Sequence, residues 1–211
     1  MKRNSFAKQK KKAAKIIRVL RKLFPRATMM LCYSNQFQLL VTVELSAQCT
    51  DKQVNKVTTT LFKKYKTLND FLHANQKEFE QDIRSTGFYK NKAKNILAAA
   101  RVLKDKFGGK LPRTMKEMLA IPGVGRKTAN ILLGNAYGIV EGIAVDTHVW
   151  RLSRILGLSK NNTPEKIERD LMNCIPQKHW FQFTYQLIEY GRKYCTARRH
   201  DHKNCPLSKV H

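Results

Sequence analysis

Apolar positions recur every three or four residues through most of this chain, the spacing that lays one stripe along a helix. Ile16, Ile17, Leu20, Leu23 and Phe24 form such a stripe on a basic segment, and Pro25 ends it. The stretch "NQFQLLVTVELSAQ" carries two patterns. Val41, Thr42 and Val43 favour a strand, whereas Phe37, Leu40, Val41 and Leu45 keep helical spacing; we read it as a buried helix. Val54, Val57 and Leu61 mark the next one. The clearest is "NKAKNILAAARVLKDKFGG", with Ala93, Ile96, Leu97, Ala100, Leu103 and Phe107 inward and the glycine pair stopping it. Thr114 and Glu117 predict a capping box, and Thr163 before Pro164 predicts a helix start. A last long helix runs from about Trp180 to Tyr190, closed by Gly191. No stretch alternates well enough for a sheet, so the expected class is all-α.

One segment repeats another. "TGFYKNKAKNIL" superposes on "PGVGRKTANILL" at an offset of 36 residues, with Gly87 on Gly123, Lys90 on Arg126 and Ala93 on Ala129. Each copy has a glycine turn, a basic residue and then a helix. Such a turn presents helix N-terminal N–H groups, which hold a phosphate oxygen directly or through a bound cation. Gly123 and Gly125 bracket Val124, so the second copy has access to backbone angles closed to other residues.

Charge changes the picture further. Lys and Arg total 41 against 15 acids, for a formal charge of +26, and the first acid in the chain is Glu44. The excess persists beyond the basic start, which points to a polyanionic partner and to salt-sensitive, sequence-blind binding of nucleic acid. At 211 residues the chain makes one ordinary domain or two small ones. No apolar run approaches about 18 residues, and no apolar signal core follows the basic start, so neither membrane association nor export is expected. A cytoplasmic, nucleoid-associated place follows. Cys32, Cys49, Cys174, Cys195 and Cys205 are odd in number and unevenly spread, which suits reduced thiols or a metal better than a disulfide scaffold.

Two residues carry candidate chemistry. Lys127 opens the helix after "PGVG" and is either a further phosphate-contacting lysine or a nucleophile, since a helix N-terminus disfavours an ammonium while a nearby carboxylate would keep it charged. Asp146, in "GIAVDTHVWRLSRILG", is an N-cap by position, and the N–H bonds that cap a helix also hold a carboxylate in place. His148 reads as a packed or phosphate-contacting histidine.

Here a resemblance becomes specific. "LPRTMKEMLAIPGVGRKTANILLGNAYG" followed by "IAVDTHVWRLSRILGL" resembles the helix-hairpin-helix, Gly-Pro-rich-loop and aspartate region of the endonuclease III family of DNA glycosylases. "LLVTVELSAQCTDKQVNKVTTTLF" and "IRSTGFYKNKAKNI" match two further segments in the right order, and the likeness runs from about residue 15 to the C-terminus. It implies two helical domains with a DNA cleft between them: residues 30–140 as a six-helix domain bearing the hairpin, and 1–29 with 141–211 as a discontinuous second. It also implies a monomer on double-stranded DNA with damaged bases or abasic sites. The implied activity is excision of oxidised or ring-saturated pyrimidines and β-elimination of the abasic strand. Lys127 matches the Schiff-base lysine, Asp146 the aspartate that assists it, and Gln48 the glutamine that fills the gap left by the flipped nucleotide. Gly123, Gly125, Arg126 and His148 fall in the DNA-binding set. Related adenine glycosylases lack the lysine.

Two positions depart from the pattern. Phe88 stands where an aliphatic wedge is expected, and an aromatic can stack in the same gap. Glu44 stands where a leucine is expected, near the catalytic glutamate of adenine glycosylases; it is either a solvated or salt-bridged helix residue or part of the base pocket. A glycosylase for mismatched adenine and a non-catalytic hairpin DNA-binding protein are the alternatives. In the family, C-x6-C-x2-C-x5-C holds a 4Fe–4S cluster; here the spacing reads Cys195, His202, Cys205, His211. Two thiolates and two imidazoles suit Zn²⁺ or a histidine-ligated iron better than an all-cysteine cubane. An altered metal site, a lost cluster replaced by packing, and a cluster with unusual ligands stay open, as does His200 in place of His202.

Overall fold

The computed structural model describes residues 2–208, and their side chains from residue 7 onward; His211 lies outside the described residues. Among the described residues there is no strand, and none of the helices is long and apolar enough to cross a membrane. The chain divides into two compact units, one of residues Met30–Ile139 and one of Met1–Met29 with Val140–His211.

The continuous unit is built around α2 (Gln36–Leu45). Asn35 caps it, and Phe37 through Leu45 are all buried. Its helical spacing prevails over its β-branched run because neighbours enclose it on every face: α3 (Asp51–Lys64), α6 (Tyr89–Phe107) and α8 (Arg126–Tyr137) all pack on it. Two short helices, α4 (Leu68–Leu72) and α5 (Gln76–Asp82), add Phe71 and Phe79 to a cluster with Phe37 and Tyr65, ring centroids 4.9–5.8 Å apart. The full reciprocal capping box falls on Thr67 and Asp70. At Thr114, which starts α7 (Met115–Met118), the hydroxyl accepts from the Glu117 N–H at 3.3 Å and donates to the Glu117 carboxylate at 2.6 Å. α6 ends as its glycine pair predicts: Gly108 is left-handed, and the Gly109 N–H reaches back to the Leu103 carbonyl at 2.8 Å.

The discontinuous unit joins α1 (Lys2–Leu23) to α9 (Thr147–Ile155), α10 (Pro164–Cys174) and α11 (Trp180–Lys193). Ile16, Leu20, Val149, Leu152, Ile167, Leu171, Phe183 and Leu187 form its centre. Cys195, Cys205 and Leu207 belong to the same core, so the segment after α11 is packed rather than loose. Gly191 does not close α11, which continues to Lys193. A Cβ there would stand 2.5 Å from the His148 Nδ1 and 3.2 Å from Leu152. Gly191 is thus the place where α9 and α11 approach too closely for a side chain.

Candidate functional site

The hairpin is α7, the turn through Gly123, and α8. The Val124 N–H donates to the Ile121 carbonyl at 3.1 Å, and Val124 is buried. Gly123 has φ +82°, and a Cβ on it would lie 2.7 Å from Glu44 Oε2 and 3.1 Å from the Asn95 Cβ. Only glycine fits, for two independent reasons. Gly125 departs from the expectation: its φ is −86° and ψ 176°, ordinary extended backbone, with open space where a Cβ would go. It is the N-cap of α8, so the turn needs one left-handed glycine, not two. Arg126 and Lys127 are the first residues of α8 and are exposed. Both sit where the helix end turns its N–H groups outward.

Glu44 is not a solvated helix residue. It is 7% exposed, in the last turn of α2 behind the Gly123 turn. Burial pushes its carboxyl up from 4.5 to about 7, against the opposing pull of the Lys92 and Lys127 ammonium groups. Lys127, although exposed, therefore acts on a buried carboxyl. Glu44, Gly123 and Lys127 gather at one end of α8.

Among the described residues, the non-glycine positions with positive φ are Gln48 at 53° and Phe88 at 48°. A left-handed backbone at such residues costs about 1–3 kcal/mol each and persists only where the surroundings enforce it. The enforcing group is Lys92. Its ammonium, on a residue 4% exposed, donates to the Leu45 carbonyl at 2.8 Å and to the Thr86 carbonyl at 2.8 Å. One cation thus ties the end of α2, just before Gln48, to the turn just before Phe88. A second tie runs from the Gln53 amide to the Ser85 hydroxyl at 2.8 Å. With both loops braced, Gln48 is exposed and Phe88 is 67% exposed. Lys92 is a bracing residue that sequence reasoning missed, although the signal was present: a lysine on the inward stripe with Ala93, Ile96 and Leu97 must find buried acceptors.

In the other unit Asp146 is the N-cap of α9, its carboxylate accepting the Val149 N–H at 2.8 Å after the buried run Ile143–Val145. His148, two residues along, presents its Nδ1 edge to Gly191. Arg151 reaches the segment after α11, donating to the Cys195 carbonyl at 2.5 Å, to the Thr196 carbonyl at 3.3 Å and to the Cys195 sulfur at 3.8 Å.

That segment gathers four candidate ligands. Cys195, His200, His202 and Cys205 each offer an atom, and the four atoms lie within 4.8 Å of one another. The Cys195 sulfur is 3.6 Å from His202 Nδ1, and the Cys205 sulfur is 3.4 Å from His200 Nε2. The sulfurs are buried, His200 is half-buried and His202 is exposed. His200 joins His202 here rather than replacing it.

The chain is similar to proteins of known family. The model of the "HhH-GPD superfamily base excision DNA repair protein" family matches residues 41–177. Endonuclease III of Synechocystis sp. is 48% identical over 202 residues, covering 96% of this chain and 92% of its own. Endonuclease III of Bacillus subtilis is 45% identical over 186 residues, covering 88% and 84%. Among solved structures, a non-covalent endonuclease III–DNA complex superposes with a TM-score of 0.91 at 42% identity, covering 95% of this chain and 94% of its own. A trapped endonuclease III–DNA covalent intermediate, an estranged-adenine complex, superposes with a TM-score of 0.89 at 43% identity, covering 94% and 93%. With the hairpin, its glycine turn and the capped Asp146 in place, this chain belongs to the HhH-GPD superfamily of base excision DNA repair proteins, in its endonuclease III branch.

Proposed function

We propose that this DNA repair glycosylase is also an abasic-site lyase, excising oxidised or ring-saturated pyrimidines from double-stranded DNA and cutting the strand by β-elimination. The observation that carries the reading is Lys127, an exposed amine in the first turn of α8 directly behind the Gly123 turn. A plain hydrolase needs only an activated water; an amine there supplies a nucleophile.

The chemistry runs from these residues. A base in a duplex must be turned out to be reached, and the gap it leaves must be filled. Gln48 and Phe88, presented on two loops held by one buried lysine, are the groups for that gap. The Gly123 turn, Gly125, Arg126 and the start of α8 take a phosphate, and His148 on α9 is a further DNA-contacting residue. As the glycosidic bond breaks, its electron pair leaves with the base and positive charge builds on the sugar, which the fixed Asp146 carboxylate stabilises. Lys127 Nζ bonds to C1′ and forms an imine, releasing the ring oxygen. Loss of the C2′ proton then drives electrons toward C3′ and expels the 3′-phosphate. Glu44, buried behind the Gly123 turn, is the acidic group on the Lys127 side of the hairpin. The Cys/His segment serves as a metal site for zinc or iron that stiffens a basic, DNA-facing loop.

Borohydride trapping on duplex DNA with an abasic site tests the lyase. A covalent adduct is expected with the wild type and none with Lys127→Ala. Tight DNA binding without an adduct from the wild type overturns the lyase reading. Excision of thymine glycol in preference to mismatched adenine is expected, and the reverse preference overturns the substrate.

A further inference from the structure

Resting on the reading that the C-terminal segment binds a metal, we propose that it holds a single tetrahedral zinc ion through Cys195, His200, His202 and Cys205, in place of the 4Fe–4S cluster of its family. His200, not the terminal His211, supplies the fourth ligand.

The distances decide between the two groups. A cubane places an iron–sulfur cage between its ligands and spreads them around that cage. One tetrahedral ion with Zn–S near 2.3 Å and Zn–N near 2.05 Å instead requires sulfur-to-nitrogen edges of about 3.5 Å. The two edges here are 3.6 Å and 3.4 Å, and all four ligand atoms fall within 4.8 Å of each other. That space takes an ion and no cage, so the cubane does not fit these residues.

The donor set agrees. Two thiolates and two neutral imidazoles around Zn²⁺ sum to zero charge, which suits a site whose cysteines are 2% and 6% exposed. The outer contacts orient the ligands. The His200 Nδ1 lies 2.8 Å from the Arg198 carbonyl, which can only accept, so Nδ1 carries the proton and Nε2 faces Cys205 as a bare lone pair. Arg151 donates to the Cys195 sulfur, and the Cys195 N–H donates to the Tyr190 carbonyl at 3.0 Å. The resulting motif, C-x4-H-x-H-x2-C, is closed within residues 195–205.

Full-length protein made in medium containing both iron and zinc provides the test, with metal analysis, acid-labile sulfide and helical content as readouts. About one zinc per chain without sulfide is expected. Iron with stoichiometric sulfide overturns the zinc assignment while leaving a metal site. Neither metal, together with no uptake of Zn²⁺ or Co²⁺ by reduced protein, overturns the metal reading itself and leaves packing as the explanation. In the zinc-bearing case His211→Ala keeps the ion and His200→Ala loses it; the opposite pattern overturns the ligand assignment. Should His200→Ala fail to fold, His200→Cys retains the metal, and its Co²⁺ form gains a further sulfur-to-cobalt charge-transfer band. An unchanged Co²⁺ spectrum overturns the role of His200. Glycosylase activity does not enter any of these readouts.

Discussion

At Gly87 the chain turns toward α6 with φ +70°, and the next residue, Phe88, is also left-handed with its ring two-thirds exposed. At Gly123 it turns toward α8 with φ +82°, and the next residue, Val124, is buried before an extended Gly125. The frames match in sequence, but one turn presents a side chain and the other presents backbone. What lies beneath makes the difference. A Cβ at Gly87 would meet nothing within 4 Å, so that loop is free to project, whereas a Cβ at Gly123 would strike the Glu44 carboxylate. Repetition supplied two helix starts, and packing assigned them different tasks.

Lys92→Met breaks the comparison most severely. It removes the cation shared by the Leu45 and Thr86 carbonyls while keeping side-chain volume, and two buried acceptors lose their donor. A loss of about 2–5 kcal/mol in urea unfolding is expected, together with greater proteolytic nicking near Gln48 and Phe88. An unchanged midpoint with intact loops means the brace is dispensable.

Glu44→Gln acts on the Gly123 side. The folded state binds a proton at Glu44 between its ordinary value of 4.5 and about 7, so this residue's contribution to stability falls as pH rises through that window. The variant should gain on the wild type between pH 5 and pH 8, by up to about 3 kcal/mol. Parallel stability profiles over that range refute a titrating Glu44.

Phe88→Ala is the mildest change and sharpens the role of the first turn. With so exposed a ring, the melting temperature should hold, while affinity for duplex DNA with an abasic gap should drop by about 1–2 kcal/mol. Phe88→Leu should recover part of that affinity if the ring works as a wedge. Equal binding by all three proteins shows that it does not.

Much of this was legible in the chain itself. Helical spacing in "NKAKNILAAARVLKDKFGG" placed α6, including its stop, because a 3.6-residue period and a glycine pair are local signals. The placement of Lys127 and Asp146 at helix starts was legible because caps and turns are local signals. Gly191 was misread as a stop, since the sequence carries the glycine but not the helix that passes beside it. His200 was weighed only as a replacement for His202, and folding of residues 195–205 brings both histidines beside Cys195 and Cys205.

By itself the sequence determined the all-helical class, the two turn-helix units, the basic surface and the residue types available for chemistry, because each depends on neighbours a few positions away. Only the tertiary structure decided that Glu44 is buried at the hairpin, that Lys92 braces two strained loops, and that His200 completes the set around Cys195 and Cys205. Burial, a shared hydrogen-bond donor and a cluster of Cys and His side chains all depend on groups that chain folding brings together, and no local pattern encodes those distances.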